Sequence, residues 1–136
     1  YNAIVWNPFS VESGTVDAPL ARSRKDRKKV AIDQSGRRAV THYRVLKNFK
    51  QFAHVECQLE TGRTHQIRVH MSSIGHPLLG DDVYGNGKSP YNITGQALHA
   101  RVLGFVHPRT GKYMEFEAPL PDYFQKILND LESNGR

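Results

Sequence analysis

A single cysteine, Cys57, occurs in the 136 residues, so no disulfide can close within the chain and no cysteine pair can hold zinc. Long apolar runs are missing too. The longest, Val102 to Val106, contains a glycine and falls far short of the roughly 20 residues that a membrane-spanning helix needs. Nothing resembles a signal peptide, and mean hydropathy is -0.58. Together these absences lead us to expect a soluble, cytoplasmic protein with no membrane partner. An initiating methionine is absent as well. The chain opens with Tyr1 inside a strand-like run, and we expect it to be a piece of a longer gene product. Catalytic signatures of the common kinds are also lacking. There is no HExxH, no G-x-S-x-G, and no Walker or Rossmann glycine pattern. On a helix His65 and His70 lie about 140° apart around the axis, too far to share one ion, so we expect no metal.

Base is plentiful, and it is concentrated. Nineteen Lys and Arg against 13 Asp and Glu give +6. The segment from Arg22 to Arg38 carries that whole excess, with Arg22, Arg24, Lys25, Arg27, Lys28, Lys29, Arg37 and Arg38 against Asp26 and Asp33. The last 22 residues have the opposite sign, with five acids against Lys126 and Arg136. Clustered base of this kind is the footprint of a polyanion partner. Nucleic acid fits better than a lipid surface, because no amphipathic basic helix accompanies the cluster.

Hydrophobic spacing divides the chain into short strands and few helices. Asn2 to Trp6 reads as a strand ended by Asn7-Pro8, and Val11 to Leu20 as an irregular strand. Lys29 to Ile32 and Arg38 to Lys47 read as two strands around a Ser35-Gly36 turn. Phe52 to Glu60 alternates, with Ala53, Val55, Cys57 and Leu59 on one face, which makes Cys57 a core residue rather than a reactive thiol. The period then changes: Ile67, Met71 and Ile74 form a helical stripe that ends at Gly75. Leu78 to Pro90 reads as loop. Ala97 to His107 and Lys112 to Ala118 read as a hairpin, and Pro121 to Leu131 as a closing helix with Tyr123, Ile127, Leu128 and Leu131 on its apolar side. The fold class expected is α+β, with a mainly antiparallel mixed sheet and few helices.

The stretch from Thr61 to His70, TGRTHQIRVH, carries the most chemistry. It places Arg63, His65 and Arg68 in or just before the first helical turn, where the helix dipole disfavours each cation by up to about 1 kcal/mol. Cations in that position imply an anion to meet them, a carboxylate or a phosphate. His65 and Arg68 share a face, while Ile67 and Met71 point into the core.

That stretch, followed by GHPLLGDDVYG from Gly75 to Gly85, resembles a signature of the RluA/RluD family of RNA pseudouridine synthases. QALHA from Gln96 to Ala100, followed by His107-Pro108, is similar to the family's next block, and FEAP from Phe116 to Pro119 to its last strand. AVTHY from Ala39 to Tyr43 resembles the strand before the signature. The likeness spans nearly all of residues 1–136, which it identifies as one partial catalytic domain, the C-terminal half. It implies an isomerase that detaches uracil from its ribose, turns it and rejoins it through carbon, with no metal or organic cofactor. It further implies that Arg68 pairs with a nucleophilic aspartate and that Tyr1 packs on the target base. The basic segment, Arg63 and His65 would contact RNA, with ribosomal RNA favoured over transfer RNA because Arg22 to Val30 is more similar to the RluD branch.

One departure is large. The family's nucleophile lies in a His-Arg-Leu-Asp type motif upstream of a tyrosine motif that YNAIV from Tyr1 to Val5 resembles, and no His-Arg-Leu-Asp motif occurs here. All seven aspartates stand in other contexts. The chain alone is therefore expected to be inactive, with the upstream half of its own domain as partner. The alternative is a non-catalytic RNA-binding module.

Overall fold

The computed structural model describes residues 1–134 except 92, 94, 101 and 107, and the backbone alone at 102–106, 114–116 and 134. Eleven elements follow in order: β1 (Asn2–Trp6), β2 (Ser13–Asp17), β3 (Leu20–Arg22), β4 (Val30–Ile32), β5 (Val40–Asn48), β6 (Phe52–Leu59), α1 (Gln66–Ser73), β7 (Leu98–His99), β8 (Val102–Val106), β9 (Tyr113–Glu117) and α2 (Asp122–Asn134). This is the expected α+β class. The main sheet runs β2-β5-β6-β1-β7 with every pairing antiparallel.

Alternation along the strands sorts the core into two layers. Ala3, Val5, Ala53, Val55 and Cys57 face one way, against Ile67 and Met71 of α1. Ile4 and Phe52 face the other way, against Phe124, Ile127 and Leu131 of α2. Burial on both faces explains why β1 is apolar at consecutive positions, with Ala3, Ile4 and Val5 wholly buried. Desolvation pushes the Cys57 thiol up to about 12, so it is inert packing.

Several expectations need correcting. Val11 to Leu20 is not one strand: the chain breaks at Pro19, which has no amide to donate to a ladder, and β2 and β3 join different sheets. β4 does not pair with β5 around Ser35-Gly36. It pairs with β3, so the basic residues 23–29 form the tip of a β3–β4 hairpin. The turn at Gly36 serves packing instead. A Cβ there would come within 2.5 Å of the Leu20 carbonyl oxygen, and Arg37 exchanges backbone hydrogen bonds with Leu20. Ile74 caps α1 and is exposed, leaving Ile67 and Met71 as the buried stripe. On α2, Phe124 rather than Tyr123 faces inward, completing an i, i+3, i+7 stripe with Ile127 and Leu131. The run from Ala97 divides, with β7 in the main sheet and β8 paired with β9. His107 and the side chain of Phe116 lie outside the described residues.

Candidate active site and basic cleft

The start of α1 is built around Gln66, a buried amide with its polar atoms matched. Its Oε1 accepts from the Thr61 hydroxyl at 2.8 Å and the Arg63 amide at 3.0 Å. Its Nε2 donates to the Val40 carbonyl and the Thr41 hydroxyl. A buried polar group satisfied in this way fixes its surroundings, so β5 and the first helical turn are locked together. His65 precedes the helix in a left-handed conformation, with φ of 55° and ψ of 21°.

Arg68, in the first turn of α1, meets its anion inside the chain. Nε donates to Asp81 Oδ2 at 2.9 Å and Nη2 to Asp81 Oδ1 at 3.0 Å, a two-pronged carboxylate pair. The Asp81 side chain is fully buried, and that of Arg68 is 12% exposed. Asp81 Oδ1 also accepts the amides of Val83 and Tyr84, each at 3.0 Å. Burial alone pushes the Asp81 carboxyl up. The Arg68 guanidinium and those two amides more than reverse this, holding it below its ordinary value. Gly80 makes the loop possible: its φ is +81°, and a Cβ there would lie 2.4 Å from the Gly95 carbonyl oxygen. The sequence marked Leu78 to Pro90 as loop, but it did not single out Asp81. A bidentate partner 13 residues away across a loop leaves no periodic trace. The one usable signal was an aspartate held between glycines next to the TGRTHQIRVH stretch.

The guanidinium lies over the Tyr84 ring, with Cζ 5.0 Å from its centroid. Tyr84 also escaped sequence analysis. Its hydroxyl lies 2.7 Å from His65 Nδ1 and accepts the Val30 amide at 3.0 Å. Burial first, and the nearby Arg68 charge second, lower the His65 pKa. A neutral ring whose Nδ1 accepts the Tyr84 proton fits that environment. Among the described residues, Arg68 Nη1 has no hydrogen-bond partner, which leaves one side of the fork for a second anion.

Beside this cluster lies an open cleft of about 810 Å³ between the β3–β4 hairpin and the loop before α1. Arg22, Arg27, Lys28, Lys29, Arg37 and Arg63 line it. Five of the eight residues expected at an RNA interface therefore converge, apart from Arg68 and Tyr1. Three do not line it. Arg24 reaches toward Asp33 at 3.8 Å, Lys25 sits on the exposed tip, and His65 turns to Tyr84. Arg37 joins the cleft without having been counted among the contact residues. It comes in because its backbone pairs with Leu20 rather than continuing into β5. Tyr1 exchanges two backbone bonds with Cys57, and its ring, 38% exposed, emerges on the α1 face of the sheet by alternation with Ala3 and Val5.

Comparison with known proteins gives a consistent result. The profile described as RNA pseudouridylate synthase matches residues 1–73. An uncharacterized RNA pseudouridine synthase of Bacillus subtilis is 55% identical over 135 residues, 99% of this chain and 44% of that protein. A ribosomal large subunit pseudouridine synthase D of Zymomonas mobilis is 50% identical over 145 residues, 100% of this chain and 45% of that protein. The chain thus spans less than half the length of these relatives. Among solved structures, human RNA pseudouridylate synthase domain containing 1 shares the fold with a TM-score of 0.76 at 22% identity, covering 97% of this chain and 64% of that one. Human RNA pseudouridylate synthase domain containing 4 superposes with a TM-score of 0.73 at 27% identity, covering 96% and 60%. With the profile on more than half its length and relatives this similar, the chain belongs to the RNA pseudouridylate synthase family.

Proposed function

We propose that the polypeptide containing this chain converts uridine to pseudouridine in ribosomal RNA, in the cytoplasm, and that this chain supplies the arginine side of the site and much of the RNA grip. The observation that carries this reading is the edge of the Arg68 guanidinium left unclaimed among the described residues, half-buried, held in place by Asp81 and beside a basic cleft. A nucleophilic carboxylate placed against Nη1 would be held ionised by the nearby charge. It would attack C1′ of the ribose as the bond from C1′ to uracil N1 breaks; the turned base would then bond C1′ through C5 as the carboxylate–C1′ bond breaks, with the C5 hydrogen leaving as a proton and N1 gaining one. Asp81 is a poor nucleophile because Arg68 and two amides already occupy its oxygens. None of the other six aspartates stands in a His-Arg-Leu-Asp type motif either, so this reading assigns the attacking aspartate to the upstream half. The uridine must first leave its stack, at a few kcal/mol, and the exposed Tyr1 ring offers a stacking surface in return. The synthase names of the relatives disfavour the reading as a binding module without catalysis.

The test is tritium release from 5-tritiated uridine in large-subunit ribosomal RNA. The chain alone is expected to release none, and the complete polypeptide is expected to turn over. Release by the chain alone would place the nucleophile among its own aspartates.

The cleft is expected to supply affinity rather than sequence choice. Replacing Arg27, Lys28 and Lys29 together by Gln should weaken binding to RNA of any sequence. It should also flatten the log–log salt dependence by about 0.7 to 0.9 per lost phosphate contact. An unchanged slope would show that the hairpin faces away from RNA.

A further inference from the structure

The Tyr84 side chain touches both the basic hairpin and the arginine site. In the hairpin, Ser23 donates to the Lys29 carbonyl at 2.9 Å, so the ladder bonds skip the Arg22–Val30 pair. The Val30 amide consequently points outward from a three-residue edge strand, and the Tyr84 hydroxyl accepts it at 3.0 Å. The same hydroxyl meets His65, which precedes α1 in a left-handed conformation. Tyr84 is held at its other polar atoms as well. Its amide donates to Asp81 Oδ1 at 3.0 Å, and its carbonyl accepts the Ser72 hydroxyl of α1 at 2.7 Å. Its ring packs with Val30 against Leu20, Ala39 and Val69, and the Arg68 guanidinium rests over it.

We propose that Tyr84 is a positioning residue that couples the hairpin to Arg68, so that seating an RNA backbone in the cleft sets the guanidinium in its working orientation. The proposal rests on the synthase reading above and adds a residue and a route to it. Val30 lines the cleft. Phosphates drawn against Lys28 and Lys29 load the β4 edge, and the load passes through one hydrogen bond to the ring beneath Arg68. The ring and hydroxyl play separable parts: the hydroxyl latches the hairpin, and the aromatic face supports the cation.

The two parts are tested by Tyr84→Phe and Tyr84→Leu in the complete polypeptide, with unmodified large-subunit ribosomal RNA made by transcription. In Tyr84→Phe the Val30 amide is expected to exchange with solvent about tenfold faster, and KM to rise about three- to tenfold, more than kcat falls. Tyr84→Leu removes the ring face too and is expected to lower kcat by a further factor of about ten, with KM close to that of the Phe variant. Coupling itself is read by NMR without turnover. The Arg68 Nε–H resonance should move when RNA is added to the unaltered protein and stay in place in Tyr84→Phe. Equal movement in both proteins would overturn the proposal, as would unchanged Val30 exchange in Tyr84→Phe. Failure of the unaltered protein to make pseudouridine, with the resonance shift present and lost in Tyr84→Phe, would sink the isomerase reading while supporting the coupling.

Discussion

Replacing Arg68 by Met in the complete enzyme is expected to lower turnover by about two to three orders of magnitude, the usual effect of removing one preorganised charge partner from a reacting site. RNA affinity should stay nearly intact. The cleft that would hold phosphates is lined by six other cations, and Arg68 is not among them. Arg68→Lys should rescue only part of the loss, because an ammonium keeps the charge and loses the fork that now grips Asp81 with two prongs. Loss of the cation should also raise the pKa of the attacking carboxyl, since an opposite charge nearby favours ionisation. Residual activity of Arg68→Met should therefore climb as pH rises. A parallel fall in RNA binding would make Arg68 a phosphate contact and end the assignment.

Asp81→Asn should be costly in a different currency: stability. Breaking a buried pair by neutralising one member typically costs about 3 to 5 kcal/mol, because the other charge is left uncompensated. We expect a loss of about 3 kcal/mol, read from the urea midpoint at constant m-value. The pH dependence should change with it. The depressed native pKa of Asp81 means that its contribution is complete above the unfolded value of about 3.9 and is lost as pH falls through the lower native one. That acid limb should vanish from the Asn variant. The double variant Arg68→Met with Asp81→Asn should regain part of the stability, since no charge is left uncompensated and the Asn oxygen still accepts the Val83 and Tyr84 amides, yet remain inactive. Stability unchanged in Asp81→Asn would mean that the pair contributes no net cohesion.

Legibility in the sequence followed the range of the interactions. β6 and the start of α1 were readable because alternation and the change of period are local, and both patterns stand in consecutive residues such as Ala53, Val55 and Cys57. The pairing of β4 was not readable. A three-residue strand has no pattern to distinguish neighbours, and the choice of β3 is made by a turn of basic residues and by Gly36 resting on Leu20. At the site, the cations announced themselves by standing at the wrong end of a helix dipole. Their partners, Asp81 and the Tyr84 ring, reach them across a loop whose composition says only that it turns. That Arg68 meets an anion was legible from its place on the helix; that the anion includes Asp81 was not.

The place of β1 in the sheet has a consequence for how the molecule is made. Residue 2 is paired with residue 56 on one side and residue 99 on the other, so β1 waits for two neighbours that are both made after it. At about 5 to 20 residues per second, roughly 5 to 20 seconds of translation separate the emergence of β1 from that of β7. Throughout that interval Ala3, Ile4 and Val5, wholly buried at the end, belong to a strand with at least one open edge. The contacts that close the sheet are long-range in sequence, and such contacts fold slowly. A chaperone that shields apolar strands during that interval would find Asn2–Trp6 with an open edge until Leu98 and His99 arrive.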